Sequence, residues 1–271
     1  MIIASFNVNS VRLRLHQLQA LVDTINPDVI GLQETKVQDH EFPVDDLAAM
    51  GFHVEFQGQK THYGVALLSK TPITNVKKGF DKDAEDAQRR FIAGTVTSPK
   101  GNAVSVLNGY FPQGESRDHK TKFPAKQKFY EDLNTHLASH HSAKDAVAVI
   151  GDFNIAPEDN DLGIGADNVK RWLRDGKASF LPEERQWFEA LCAWGVKDTW
   201  REKNPTDNEW FSWFDYRSKG FDKDPKRGLR IDHIMATNTL VKALTDCGIS
   251  YDIRAMEKPS DHCPVWSKFD I

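Results

Sequence analysis

The stretch Ala146 to Pro157, AVAVIGDFNIAP, constrains the chain more than any other. Five consecutive apolar residues, Ala146 to Ile150, suit a strand buried on both faces, with Gly151 as its end. Asp152 and Asn154 follow, separated by Phe153, and alternation along an extended chain puts the carboxylate and the carboxamide on one side. Polar groups delivered from a rigid strand end can be held firmly enough for catalysis. Gly, Asp, Asn and Pro are also common turn residues, so the stretch alone permits a plain turn. Four other stretches repeat the design, an apolar strand ending in Asn, Glu, Asp or His, and they favour a built site.

In chain order, Ile2 to Asn7 reads as a first strand running into Asn7-Val8-Asn9. Ser10 is placed to cap a helix from about Val11 to Ile25, with Leu15, Leu18, Leu21, Val22 and Ile25 on one stripe and Asn26-Pro27 as its stop. Val29 to Leu32 is a second strand and leads into Gln33-Glu34-Thr35-Lys36. Phe52 to Phe56 and Tyr63 to Ser69 read as adjacent strands, and Phe91 to Thr97 and Ala103 to Tyr110 as a pair joined by a Pro-Gly turn. Pro124 opens a helix through about His141; Asn168 to Arg174 is a short helical turn; Pro182 starts a helix that Gly195 ends. Leu229 to Ala236 is a strand with Asp232 inside it, and Val265 to Phe269 closes the chain. Strands and helices interleave without the regular repeat of a parallel sheet, which points to an α/β sandwich of packed sheets with helices outside.

The chain has 271 residues and no internal repeat or long linker, so a single domain over 1–271 is expected. Three widely spaced cysteines, Cys192, Cys247 and Cys263, form no CxxC pair and favour a reducing compartment. The N-terminus lacks the pattern of a signal peptide, and no apolar run approaches the roughly 18 residues of a membrane span. A cytoplasmic protein without a membrane partner is the expectation. Net charge is −4, so a polyanion partner would require basic residues gathered on one face.

The polar groups at strand ends are Asn7, Glu34, Tyr110, Asp152, Asn154, Asp232, Asp261 and His262. Carboxylates with amide oxygens suit a hard cation, Mg²⁺ or Mn²⁺; zinc would want more His or Cys. Asp232 inside an apolar strand needs a partner, and an imidazole oriented and held protonated by it is the obvious one. The stretches FNVNSVR, PDVIGLQETK, HYGVALLSK, NGYFPQGESRDH, IGDFNIAP, SFLPEER, FSWFDYRSKGFD and EKPSDHCPVW together resemble the bacterial exodeoxyribonuclease III/AP endonuclease family of the endonuclease/exonuclease/phosphatase superfamily, from residue 5 to residue 266.

That resemblance implies a four-layer αββα sandwich, two mixed sheets face to face with helices on both outer sides. It implies Glu34 as principal metal ligand in a set with Asn7, Asp152, Asn154 and Asp261. Asp152 would activate the attacking water and Asn154 orient it. His262 would sit on the scissile phosphate with Asp232 as its partner, and Tyr110 near the same phosphate. Arg90, Gln113 and Trp213 match residues that touch DNA, and Trp213, Leu229 and Ile231 an apolar pocket for a base-less sugar. Ser10 stands where the family usually has Gly, and Cys263 where a small residue is usual; neither touches a catalytic role.

Basic residues cluster in three segments: Lys120, Lys122, Lys126 and Lys128; Lys170, Arg171 and Arg174; Arg217, Lys219, Lys223, Lys226, Arg227 and Arg230. Any one alone suits a solvated surface, but three beside the proposed site suggest a phosphate-tracking face. The implied activity is metal-dependent hydrolysis of duplex DNA: incision 5′ to abasic sites, 3′-5′ exonuclease and 3′-end cleaning, by a monomer that meets the nucleoid through its DNA. The nearest rival is a sibling specialised in 3′-phosphate removal; a lipid or inositol phosphatase and a dead-scaffold binding module are further off.

Overall fold

A computed structural model of the chain describes residues 1–271. The strands in order are β1 (Ile2–Asn7), β2 (Val29–Gln33), β3 (His53–Gln57), β4 (Val65–Ser69), β5 (Thr74–Lys78), β6 (Phe91–Thr97), β7 (Ala103–Tyr110), β8 (Val147–Asp152), β9 (Val196–Asp198), β10 (Asp232–Thr237), β11 (Leu244–Ile249) and β12 (Val265–Phe269). They form two six-stranded sheets, β11-β12-β1-β2-β4-β3 and β5-β6-β7-β8-β10-β9. Each sheet holds one parallel pair, β1 with β2 and β7 with β8. A parallel pair needs a crossover. Helix Leu15–Ile25 makes the first and helix Lys122–His140 the second.

Strand alternation divides the side chains between layers. Ile3, Val104, Val106, Ala148, Ile150, Ile234 and Ala236 belong to the cluster between the sheets. Their neighbours Ala4 and Phe6 pack against the helices on one outer side, and Val147, Val149 and Met235 against those on the other. The architecture is the expected four-layer sandwich of two mixed sheets.

Some boundaries differ from the expectation. Ser10 caps nothing: it has φ 89 and no side-chain cap bond, a 3₁₀ turn covers Val11–Leu13, and the α-helix starts at Leu15. Its backbone N–H is committed instead to the Glu34 carbonyl, at 2.8 Å. β8 does not end before Gly151 but runs through Asp152. Gly151 lies opposite Gly109 with φ 148, and a Cβ there would sit 1.9 Å from the Gly109 carbonyl oxygen, so only glycine lets the strands pair. Leu229 makes only isolated bridges, to Trp213 and Leu162, and regular strand begins at Asp232. No helix is long and apolar enough to cross a membrane, and all three cysteines are free.

Candidate active site

Four rows of inward-facing residues end at one edge of the sandwich, and each ends in a polar side chain. The rows are Ile3-Ser5-Asn7 on β1, Val104-Val106-Asn108-Tyr110 on β7, Ala148-Ile150-Asp152 on β8 and Ala236-Ile234-Asp232 on β10. Tyr110 pairs with Asp152 and Asp152 with Asp232 in the register of the second sheet. Directly paired residues share a face, so Tyr110, Asp152 and Asp232 stand side by side. On the facing sheet Asn7 pairs with Gln33, which places Glu34 at the same edge. Buried Asn108 ties the sheets together behind the site, giving hydrogen bonds to the Leu32 and Ala66 carbonyls and taking one from Gln33 at 2.6 Å.

His262 fills the gap between the carboxylates. Its Nδ1 donates to Asp232 at 2.8 and 3.0 Å, and its Nε2 lies 3.8 Å from Asp152 Oδ2. Burial alone would pull this imidazole down, but Asp232 and Asp152 overcome it and hold its pKa at about 10. Burial pushes the Asp152 carboxyl up to about 7, against the pull of His262 and with Asp232 and Glu34 adding to the rise. Burial, with Glu34 adding to it, also raises the Tyr110 phenol well above its usual value, while Arg90 opposes the rise. Burial would raise Asp261 too, but His262 and hydrogen bonds from Asn9 and Trp213 hold it below the usual carboxylate range.

Asn154 is not delivered by strand alternation. The chain leaves the extended form there, with φ 53, and the Asn154 N–H closes a turn onto Asp152 Oδ1 at 3.0 Å. The turn and the site are the same structure. The Asn154 Nδ2 donates to the Phe111 carbonyl, which fixes the amide and leaves Oδ1 as an acceptor.

The donor set fits a divalent oxygen-bound cation. Asn7 Nδ2 lies 3.1 Å from Glu34 Oε1 and 3.0 Å from Asp152 Oδ2, so two carboxylate oxygens converge on one point. The Lys36 ammonium sits 2.8 Å from Glu34 Oε2 and 2.5 Å from Asn9 Oδ1, and Asn9 in turn donates to Asp261. Within this contact network the four carboxylates Glu34, Asp152, Asp232 and Asp261 face only two cations, Lys36 and His262. One divalent ion would balance the remaining charge. Asp152, Asp232 and His262, with donor atoms within 4.8 Å of one another, are a second group that could hold an ion, although His262 Nδ1 is engaged by Asp232 at 2.8 Å. Asn7 turns its N–H rather than its oxygen toward the carboxylates, and both Asp261 oxygens are occupied, by Asn9 and Trp213. Glu34 and Asp152 are therefore the leading oxygen donors.

Residues 4–262 match the model of the Endonuclease/Exonuclease/phosphatase family. The chain belongs to that family. It is 54% identical to the "Exodeoxyribonuclease III" of Haemophilus influenzae over 98% of each chain. Among solved structures it is similar to a 3′ phosphatase from Neisseria bound to a product DNA hairpin, with TM-score 0.89, 37% identity and 100% of both chains covered. It is likewise similar to an AP endonuclease from Archaeoglobus fulgidus, with TM-score 0.90, 32% identity and the same coverage.

Two clefts flank the centre of this family member. Arg90, Gln113 and Lys122 line one of ≈ 390 Å³ together with Tyr63 and Tyr110. The Arg90 guanidinium stacks between the Tyr63 and Tyr110 rings, 4.4 and 4.5 Å from their centroids, so it braces Tyr110 as well as facing the cleft. Arg171 and Trp213 line the other, of ≈ 180 Å³, with Trp172, Lys223 and Arg227. Arg217 and Lys219 stand exposed on the adjoining turn.

Three expectations need correction. Leu229 and Ile231 do not line an open pocket: they are 1% and 3% exposed and pack beneath Trp213 with Ala156 and Phe180. Lys126 belongs to no phosphate-tracking surface; it is fully buried, ion-paired to Glu184 at 2.5 Å, and donates to the Asn154 carbonyl at 2.8 Å. Arg230 is buried as well, within an ion-pair network with Asp161 and Asp198. Sequence reasoning also left out residues that hold the site. Ser212 Oγ accepts the N–H groups of Ile231 and Asp232, and Ser260 Oγ donates to the Asn7 carbonyl and accepts from the His262 N–H. Their neighbours Trp213 and Asp261 were the only signal.

Proposed function

We propose that this chain is a DNA repair nuclease of the exodeoxyribonuclease III type. It incises duplex DNA 5′ to abasic sites, degrades strands from recessed 3′ ends and removes 3′ phosphates. The observation that carries this is His262, held cationic between Asp232 and Asp152 at a carboxylate-rich edge. An acid–base unit, an anionic ion site and two basic-aromatic clefts together suit a polyanionic phosphodiester and little else.

Each residue then has a role set by its contacts. Asp152, with its carboxyl near neutrality, accepts the proton of the attacking water. Asn154, its amide anchored on Phe111, presents Oδ1 to that water's other hydrogen. His262 donates from Nε2 to a phosphoryl oxygen, and Asp232 keeps the ring aligned and charged. Tyr110 retains its proton at neutral pH and acts as a hydrogen-bond donor to the phosphate rather than as a base. Glu34, with Asp152 and after rearrangement Asn7, Asn154 and Asp261, would hold Mg²⁺, for which Mn²⁺ can substitute. When bound, the ion neutralises phosphoryl charge and assists the departing 3′ oxygen. Arg90, Gln113, Lys122, Arg171, Arg217 and Lys219 follow the DNA backbone, and Trp213 supplies an apolar face for a base-less sugar, with Leu229 and Ile231 behind it. The inner core drawn from both sheets supports one domain; action as a monomer, in the cytoplasm on nucleoid DNA, is part of the same proposal.

Labelled duplexes carrying an abasic site, a recessed 3′ hydroxyl or a 3′ phosphate test this, each with Mg²⁺ and with EDTA. All three should be processed with Mg²⁺ and none with EDTA. Undiminished cleavage in EDTA would remove the metal from the account. Turnover of the 3′ phosphate alone would move the chain to the specialised 3′-phosphatase alternative.

A further inference from the structure

The helix that carries Lys126 toward the active centre ends, four turns later, in three histidines: His136, His140 and His141. An i, i+4 spacing stacks His136 and His140 on one helix face, and their ring centroids are 4.6 Å apart. Asp81, in the turn after β5, reaches the same spot, with Oδ2 2.8 Å from His140 Nε2. One donor atom from each of Asp81, His136 and His140 lies within 4.8 Å of the others. A tetrahedral ion with metal–ligand bonds of ~2.0–2.1 Å needs donor atoms roughly 3.3–3.4 Å apart, so the His140–Asp81 contact of 2.8 Å would open slightly to admit it.

His136 is the group that asks for a ligand. It is only 6% exposed, and its Nδ1 is buried without any hydrogen-bond partner. Phe80 and Phe91 wall its ring, with centroids 6.1 and 5.2 Å away, so no protein donor can reach it from that side. His140 and His141 open onto a cleft of ≈ 720 Å³, shared with Lys77 and Asp145, through which an ion and its water can enter. Lys77 is the competing cation, 2.5 Å from Asp81 Oδ1, but it is partly exposed on an edge strand and can turn to solvent. The same cleft touches Ala103 and Ser105 at the start of β7, whereas Tyr110 is at that strand's other end. Phe80 and Phe91, which wall His136, belong to the outer layer, whereas Tyr110 packs against the layer between the sheets, so the cluster and the active centre lie on opposite faces of the second sheet.

We propose that Asp81, His136 and His140 form a second metal site, for a borderline divalent transition-metal ion such as Zn²⁺, which clips the end of helix Lys122–His140 to the turn after β5. Two imidazoles and one carboxylate with an open position are a donor set for Zn²⁺, Ni²⁺ or Cu²⁺ and a poor one for Mg²⁺. His141, 5.6 Å from His136 between ring centroids, or a water completes the set.

The test uses the full chain, stripped with chelator and then titrated with Zn²⁺ in the presence of saturating Mg²⁺, which occupies the oxygen site. Calorimetry should give one Zn²⁺ per chain at micromolar or lower concentration, and Co²⁺ in its place should develop visible absorption. His140→Gln and Asp81→Asn both change exposed side chains. Each should weaken Zn²⁺ by about tenfold or more, remove the Co²⁺ band and leave Mg²⁺-supported cleavage of abasic duplex unchanged. Zn²⁺ should raise the thermal midpoint of the wild type and of neither variant. Equal Zn²⁺ affinity in wild type and both variants, or no Zn²⁺ binding beyond the active centre, would overturn the proposal.

Discussion

β10 carries two buried charge networks back to back, and they are built to opposite rules. Asp232 faces the space between the sheets and meets His262, with Asp152 beyond. Arg230 and His233, just before and after it, belong to a second network. Arg230 Nε donates to Asp161 at 2.6 Å, and Nη1 lies 2.7 Å from Asp198 in an ion pair off the hydrogen-bonding axis. Arg201 joins Asp161 as well, and the His233 Nε2–H donates to the Ile155 carbonyl at 2.9 Å. Two arginines meet two buried aspartates there, so the buried charges cancel inside the protein, and Arg201 also reaches the half-exposed Glu158 at 3.3 Å. Around Asp232 four carboxylates meet two cations, and the charges do not cancel. The balanced network is sealed: burial opposes ionisation of Asp198, yet Arg230 and His233 hold its carboxyl well below the usual range. The unbalanced one is poised, with Asp152 near 7 and His262 near 10. A closed network stores stability; an open one waits for substrate and ion.

The largest expected effect separates the two at once. Asp152→Asn removes the proton acceptor and should lower kcat on abasic duplex by about 10²–10⁴-fold, the usual share of general base catalysis. Because burial already disfavours the charged form, the thermal midpoint should hold or rise. Asp232→Ala and His262→Ala should each cost comparably, and the double variant much less than their product. A collapse of the fold in Asp152→Asn would make this group structural and erase the contrast.

The reverse pattern is expected of Arg230. Arg230→Met leaves Asp161 and Asp198 buried with a charge short, at about 3–5 kcal/mol of folding stability. Urea denaturation should read that loss, while kcat per folded molecule stays within a few fold. If that variant does not fold well enough to measure, Asp161→Asn probes the same network from the other side. A variant of unchanged stability but lost activity would mean that the network serves chemistry.

The contrast also marks what could be read from the sequence. Asn7, Tyr110, Asp152 and Asp232 were legible because each stands at the end of, or inside, a mainly apolar strand, a pattern local to that strand. Glu34, Asp261 and His262 adjoin such strands and were legible as strand-end groups as well; the particular roles of Glu34, Asn7, Asp261 and Tyr110 came from the resemblance. Lys126 and Arg230 were misread as surface cations, since a lysine in a basic run looks the same whether or not Glu184, 58 residues later, closes over it. Ser10 failed as a cap for a similar reason: Glu34, on another strand, takes its backbone N–H. β11 was missed because its edge position leaves it mostly uncovered, with no apolar run to see.

Lys126 gives a further, smaller test because it touches both kinds of network, paired to Glu184 and bonded to the carbonyl of Asn154. Lys126→Met alone strands a buried carboxylate and should be strongly destabilising, whereas Lys126→Met with Glu184→Leu should recover much of the loss. If the pair also positions Asn154, the double variant will regain stability but not kcat. Full recovery of both would class the pair as purely structural.

The smallest effect concerns Trp213, which bridges the two regions. Its Nε1 donates to Asp261 at 3.0 Å on the open side, and its ring packs on Leu229, the neighbour of Arg230. The remaining face borders the cleft with Arg171 and Trp172. In the proposed function a base-less sugar stacks on that face, and extruding it breaks no base pair. Trp213→Ala should therefore weaken kcat/KM on abasic duplex by roughly 1–3 kcal/mol, as loss of a stacking face does. Trp213→Phe keeps most of the face but loses the bond to Asp261, so it separates lesion contact from support of the carboxylate. Retained abasic activity in Trp213→Phe, with loss in Trp213→Ala, assigns the ring to the lesion. Equal losses in both variants, on abasic duplex and on a small phosphodiester alike, would assign Trp213 to holding Asp261 and place it wholly within the open network.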